Sequence, residues 1–200
     1  MYEKPTLSTF RTATHYSQPA GKVFKIHNLS DVDATLLEPA SCAAHGLDKI
    51  SPKLGSSVLM FGAGPTGLVL SQMLRQNGGC HVVVAAPQGL KMELAKKLGA
   101  GDVYVELSRE NPEVQFQKLK DENPYGFDIV VEATGSPKIL EDAINYVRRG
   151  GKVTAIRNPF LRKINANRAI MNSSLSMVFT RLPLVSLGHL ARFSVTRSLF

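Results

Sequence analysis

Residues 57–67 read Ser-Val-Leu-Met-Phe-Gly-Ala-Gly-Pro-Thr-Gly, an apolar run of strand length followed by glycines at the first, third and sixth places of a turn. A helix-length segment, 68–77, comes next, with Leu70 and Leu74 one turn apart. Strand, glycine turn and helix in that order leave few folds open, because each glycine meets a different demand of a dinucleotide-binding turn. Gly62 lets the chain leave the strand tightly. Gly64 has no side chain to hold a pyrophosphate off the backbone, and Gly67 lets the helix pack close to the strand. The helix start offers unpaired N–H groups and a positive dipole end to phosphates. Gly62, Gly64, Pro65, Thr66 and Gly67 are therefore the candidate pyrophosphate residues. A merely flexible glycine turn would need neither the strand before it nor the helix after it.

The rest of the chain repeats the alternation. Residues 81–86, 102–107 and 127–133 read as strands, and 152–156 starts a fifth. Between them, 89–98, 112–122 and 137–149 read as helices, the last capped by Gly150 and Gly151. Upstream, 23–26 alternates like a strand, 31–37 reads as a helix, and Pro39 suits the first position of a helix continuing over 40–47. The expected fold is an α/β, Rossmann-type, doubly wound parallel sheet with its ligand across the carboxyl ends of the strands. The chain divides into residues 1–30, a dinucleotide-binding domain at 31–155, and a divergent basic tail at 156–200.

Charge narrows the function. The net charge is +8, yet all 16 acidic residues lie at or before Asp142. Residues 1–155 hold 17 Lys and Arg against those 16 acids, while 156–200 holds seven basic residues and no acid. The excess belongs to the tail, so it gives no reason to expect nucleic acid at the domain with the motif. Within the tail, 182–195 is apolar with scattered Arg, but Pro183 and Gly188 argue against a membrane-surface helix. Two cysteines, Cys42 and Cys80, make no disulfide framework and fit a reducing compartment. No run approaches the roughly 18 apolar residues of a membrane span, and no signal core opens the chain, so a cytoplasmic location is expected.

Longer stretches carry a resemblance. They are Pro19-Ala20-Gly21-Lys22-Val23-Phe24-Lys25-Ile26, Leu37-Glu38-Pro39-Ala40-Ser41-Cys42, the glycine turn, Lys97-Leu98-Gly99-Ala100, and Phe127 through Gly135. Over about residues 16–155 the chain resembles the middle of the zinc-type medium-chain alcohol dehydrogenases, nearest the polyol dehydrogenases of the sorbitol and fungal D-arabinitol dehydrogenase group. The resemblance implies hydride transfer between a sugar alcohol and NADP or NAD, with zinc polarising the alcohol oxygen. It also implies a catalytic domain before this one and a dimer formed through the far edge of the sheet, which this chain is not expected to make. Of the family's zinc-proximal positions only Glu38 is matched, so zinc is not expected to be held by this chain. Glu38, Cys42 and His45 share a helix stripe, but three ligands on one straight helix wrap a tetrahedral ion poorly. A buried cysteine and a hydrogen-bonded histidine are the plainer reading.

The cofactor follows from the end of the second strand. The position where a carboxylate would bond the adenosine ribose is Ala86, within Ala85-Ala86-Pro87-Gln88-Gly89, and five residues on Lys91 stands where a cation could meet a 2′-phosphate. Missing repulsion plus a cation favours NADP(H) over NAD(H), though Lys91 alone is equally a solvated helix residue. Ala133, Thr134 and Gly135 are expected at the cofactor's edge on the fourth strand. At Arg157 the chain leaves the family pattern, so the sheet is expected to lack its last strand, to expose an apolar edge and to be poorly soluble. With so little of the catalytic domain, little turnover is expected. The rival readings are a non-catalytic dinucleotide sensor signalling through its tail, or the product of a pseudogene or shifted reading frame.

Overall fold

A computed structural model describes residues 28–156 and 176–180. The described elements are α1 (Asp31–Ala34), α2 (Leu37–Ile50), β1 (Ser57–Phe61), α3 (Pro65–Gly78), β2 (His81–Pro87), α4 (Leu90–Lys97), β3 (Val103–Leu107), α5 (Glu113–Glu122), β4 (Phe127–Glu132), α6 (Pro137–Ala143), β5 (Val147–Ile156) and β6 (Ser176–Thr180). All of them fall in one compact unit, Asp31–Leu182. The strands form one parallel sheet in the order β3-β2-β1-β4-β5-β6. Strand order reverses between β1 and β4, and a crevice at that switch point is where open α/β sheets take their ligands.

The near-continuous apolar runs of β1, β2 and β4 arise because central parallel strands are covered on both faces. Alternate residues divide between two layers. Val58, Met60, Val82, Val84, Ile129 and Val131 meet Ile50, Leu70, Leu74 and Met92 from α2, α3 and α4. Leu59, Phe61, Val83, Ala85, Val130 and Val153 face the other way, towards Leu119 of α5 and Leu140 of α6. On that second face Phe61 meets Tyr146 and Phe116 edge-on, with centroids 5.5 and 6.2 Å apart, and Lys120 Nζ lies 5.0 Å from the Tyr146 ring centre. Burial, aided by Asp142, pushes the Tyr146 hydroxyl pKa up to about 12.

Three local expectations are corrected. The helix expected over 31–37 breaks after Ala34: Thr35 and Leu36 close turns onto Val32 and Asp33, and a new helix starts at Leu37. Proline in a helix interior clashes with the carbonyl four residues back, so one helix does not run through Pro39. Pro39 instead sits in the first turn of α2, where its missing N–H has no intrahelical partner to lose. The helix expected to reach Arg149 stops at Ala143, and Val147 already pairs with Phe127. Gly150 and Gly151 lie inside β5, at a register shift where Lys152 resumes pairing with Ile129. Gly150 has φ +73°, and a Cβ on Gly151 would stand 2.8 Å from the Asp128 carbonyl oxygen, so this pair serves a bulge rather than a helix stop. Third, the sheet does not end at β5. β6 pairs with it in parallel from Lys152 opposite Ser176 to Ile156 opposite Thr180, so the expected bare edge at β5 is covered. The apolar segment 182–195 lies outside the described residues.

Ion pairs fasten the amino ends of the strands. Asp128 on β4 accepts hydrogen bonds from the Ser57 N–H and hydroxyl of β1, both at 2.8 Å, and from Arg148 Nε of β5 at 2.5 Å. Burial alone would raise its pKa, but the Ser57 N–H, the Arg148 guanidinium and the Ser57 hydroxyl outweigh burial and hold it below the ordinary value. The folded chain therefore binds fewer protons here than the unfolded chain does. That stabilisation is complete above the ordinary carboxyl range and is lost as pH falls through the depressed folded value. Asp128→Asn is expected to cost about 1–3 kcal/mol at pH 7. Urea unfolding should show this difference shrinking towards pH 3. Lys152 adds a tie of another kind, donating from Nζ to the Ile50 carbonyl at 2.6 Å and so placing a cation at the carboxyl end of α2.

Candidate dinucleotide site

The carboxyl end of β1 turns into α3 through backbone that only small residues permit. Gly62 has φ +104°, and a Cβ there would lie 3.0 Å from Thr134 Cγ2 and 3.1 Å from the Ala133 carbonyl. Its N–H is held by the Ala85 carbonyl at 2.9 Å. A Cβ on Gly67 would stand 2.9 Å from the Gly62 carbonyl oxygen and 3.3 Å from Ala133 Cβ. Gly64 is different. Among the described residues no heavy atom beyond its chain neighbours lies within 4 Å of where its Cβ would be, so those residues leave space open at the N-cap of α3. Pro65 takes the first helical position, where a missing N–H costs nothing. Among the described residues no side chain caps this helix, and its first turn holds no acidic residue. Fourteen residues of aligned peptide dipoles thus point an N-terminus that no described side chain caps at the opening beside Gly64.

The wall behind this turn comes from β4, some 70 residues later. Ala133 N donates to the Phe61 carbonyl at 2.9 Å, continuing the β1–β4 ladder into the loop. Ala133 and Thr134 are the atoms against which Gly62 and Gly67 pack. Their loop is shaped by Glu132, which is fully buried although charged in type. Glu132 Oε1 accepts from Thr134 N at 2.6 Å, Thr134 Oγ1 at 2.5 Å and Gly135 N at 2.7 Å, while Gly135 adopts φ +78°. Glu132 was not among the expected site residues. Its signal is a carboxylate closing an otherwise apolar, two-face-buried strand, where an unpaired charge would be costly.

At the end of β2, Ala86 is buried, and the backbone turns through Gly89, φ +132°, into α4. Lys91 is exposed in the first turn of α4. An open cleft of about 650 Å³ lies at the carboxyl ends of β2 and β3, bordered by Gln88, Gly89, Glu93, Glu106, Arg109 and Glu110 among others. Lys91 is not among its lining residues. The cation on the cleft is Arg109, which sequence reasoning missed, and Glu106 is engaged by Lys96 at 2.5 Å.

Glu38 and Cys42 do meet on α2, with Cys42 Sγ donating to Glu38 Oε1 at 3.3 Å. Among the described residues no three His, Cys, Asp or Glu side chains gather as a metal-binding group, and His45 does not complete one with this pair. One thiol and one carboxylate, with no third donor gathered beside them, fall short of the ligand set zinc needs, so the described residues do not fit that ion. Both cysteines are buried. No described helix is long and apolar enough to cross a membrane.

Comparison with known proteins gives a consistent picture. Residues 65–182 match the family model described as zinc-binding dehydrogenase. This match continues across Arg157 and takes in β6, which disfavours a shifted reading frame after Ile156. The chain is 59% identical over 132 residues to D-arabinitol dehydrogenase 1 of Uromyces fabae, covering 66% of this chain and 38% of that protein. Its fold is similar to a short-chain alcohol dehydrogenase of E. coli solved with NADH (TM-score 0.69, 23% identity, 86% of this chain and 50% of that one). It is likewise similar to a zinc-binding dehydrogenase of Sinorhizobium meliloti bound to NADP (TM-score 0.59, 24% identity, 70% and 42%). The chain spans about two fifths of the length of the curated relatives it matches.

Proposed function

The chain belongs to the zinc-binding dehydrogenase family, and from that premise we propose that it seats a nicotinamide dinucleotide for hydride exchange with a sugar alcohol. The observation that carries this reading is the open space beside Gly64 at the uncapped start of α3, backed by Ala133 and Thr134. In this reading Gly62, Gly64, Pro65, Thr66 and Gly67 receive the pyrophosphate on backbone N–H groups. Ala133, Thr134 and Gly135 border the cofactor where β4 ends, and Ala86 leaves room beside the adenosine ribose. The domain runs from Asp31, with α2 fastened by Lys152, and residues 1–30 are the remnant of a catalytic domain with an N-terminal extension. The described residues offer zinc no ligand group, Glu38 meeting Cys42 without a third donor beside them. Polyol turnover by this chain is accordingly expected to be low.

The cofactor favoured is NADP(H). Support comes from the missing carboxylate at Ala86 and from two cations, Lys91 and Arg109, near the end of β2 and on the adjoining cleft. Glu93 and Glu110 on the same cleft oppose a phosphate, which keeps the expected preference modest. Calorimetry on the full chain tests both levels. NADP⁺ is expected to bind tighter than NAD⁺, and Lys91→Ala to weaken NADP⁺ alone by about three- to tenfold, the scale of one exposed charge-assisted contact. Tighter NAD⁺ binding would reverse the preference while leaving the site intact. No heat with either dinucleotide would remove the reading altogether.

A further inference from the structure

We propose that Glu132 is a positioning residue for the pyrophosphate cradle, acting through the Ala133–Thr134–Gly135 loop rather than by touching the ligand; this rests on the dinucleotide reading above. Three donors from two consecutive residues converge on one oxygen of a carboxylate that has no solvent exposure. Three hydrogen bonds to one buried acceptor together fix the loop's path. The loop then presents Thr134 Cγ2 and the Ala133 carbonyl to Gly62, and Ala133 Cβ to Gly67. Those contacts leave the glycine turn one place to be. Glu132 therefore sets where the α3 N-terminus and the Gly64 N–H point, although its own strand belongs to the other half of the sheet.

The carboxylate's second oxygen sharpens the assignment. Oε2 is buried and has no hydrogen-bond partner among the described residues. The work of the side chain is thus concentrated in Oε1, an acceptor that an amide oxygen can replace. A general need for buried charge would not be met by glutamine, whereas a need for one acceptor at this place would.

The test uses the full chain, with dinucleotide affinity measured by calorimetry and folding followed by circular dichroism and thermal melting. Glu132→Leu is expected to weaken NADP⁺ or NAD⁺ binding by about tenfold or more, and Glu132→Gln to stay within about threefold of the parent chain. Leu119→Ala, a core change on α5 away from the loop, controls for lost stability and is expected to bind as the parent does. Thr134→Val removes one donor but keeps the methyl group that faces Gly62, and should weaken binding about threefold. That variant decides the matter if Glu132→Leu does not fold. Unchanged affinity in Glu132→Leu or Thr134→Val overturns the assignment, as does a loss in Glu132→Gln as large as in Glu132→Leu. An equal loss in Leu119→Ala would reduce it to general stability. If the parent chain binds neither dinucleotide, the underlying reading fails, and this assignment with it.

Discussion

Gly67→Val is expected to abolish dinucleotide binding and destabilise the fold together, while Gly64→Ala weakens binding about a hundredfold and leaves the fold standing. The two glycines sit three residues apart in one motif, yet their surroundings differ. At Gly67 a Cβ would press on the Gly62 carbonyl oxygen from 2.9 Å, and that oxygen belongs to backbone held between β1 and β2. Neither group can swing aside, so α3 must move off the sheet. Overpacking of this kind costs about 1–3 kcal/mol for one or two carbons. A valine adds more carbons and a branch that a helix tolerates in one rotamer. At Gly64 a methyl group enters open space and costs within about 1 kcal/mol as a poorer N-cap. It does occupy the approach to the α3 N-terminus, where binding is expected to fall about a hundredfold, equivalent to about 2.7 kcal/mol. Urea unfolding and calorimetry on the same two samples separate the cases. A Gly67→Val chain that melts like the parent would refute the packing argument, and a Gly64→Ala chain that binds normally would refute the phosphate approach.

Phe61→Ala is the second large effect, at about 3–5 kcal/mol of stability. Phe61 is 1% exposed and occupies the middle of the face between β1 and α5, edge-on to Phe116 and Tyr146. Its removal leaves a cavity beside the Phe116 and Tyr146 rings. The two aromatic contacts add to the loss because each edge-to-face pair is worth about 0.5–1.5 kcal/mol beyond area. Phe61→Leu fills most of the space and is expected to lose markedly less. Phe61 also precedes Gly62 and lies opposite Glu132 in the β1–β4 register. A weakened dinucleotide affinity in Phe61→Ala is therefore expected alongside the lower urea midpoint, with an unchanged denaturant slope. A midpoint within the error of the parent would show that the face is more plastic than its packing indicates.

How much of this could be read from residue order depends on whether the deciding forces are local. β1, its glycine turn and α3 were legible because strand pattern, turn chemistry and helix pattern are all encoded within about 20 residues and agree. The end of β2 was legible as an absence, since no carboxylate stands near Ala86. What escaped was decided across the chain. The entry into β5 is set by Phe127 pairing with Val147, and Gly150 and Gly151 look like a helix stop until that partner is known. β6 is five residues long, and its β-forming Val178 and Phe179 sit in Ser-rich surroundings without acids. Only the ladder to β5 gives them an element to join. Glu132 escaped for a related reason. A glutamate ending a strand reads as a solvated residue, and its burial against Thr134 and Gly135 becomes visible only when β1 and β5 flank it on both sides.

The wall that Ala133 and Thr134 build behind Gly62 and Gly67 makes the motif a poor candidate for transplantation. A peptide or chimera spanning β1 to α3 would contain every glycine of the signature and none of the surface that aligns them. The recognisable letters and the working cradle have different boundaries, the second closing only at Gly135. Anyone wishing to move this capacity into another scaffold has to carry both halves of the sheet, or invent a substitute for the missing buttress.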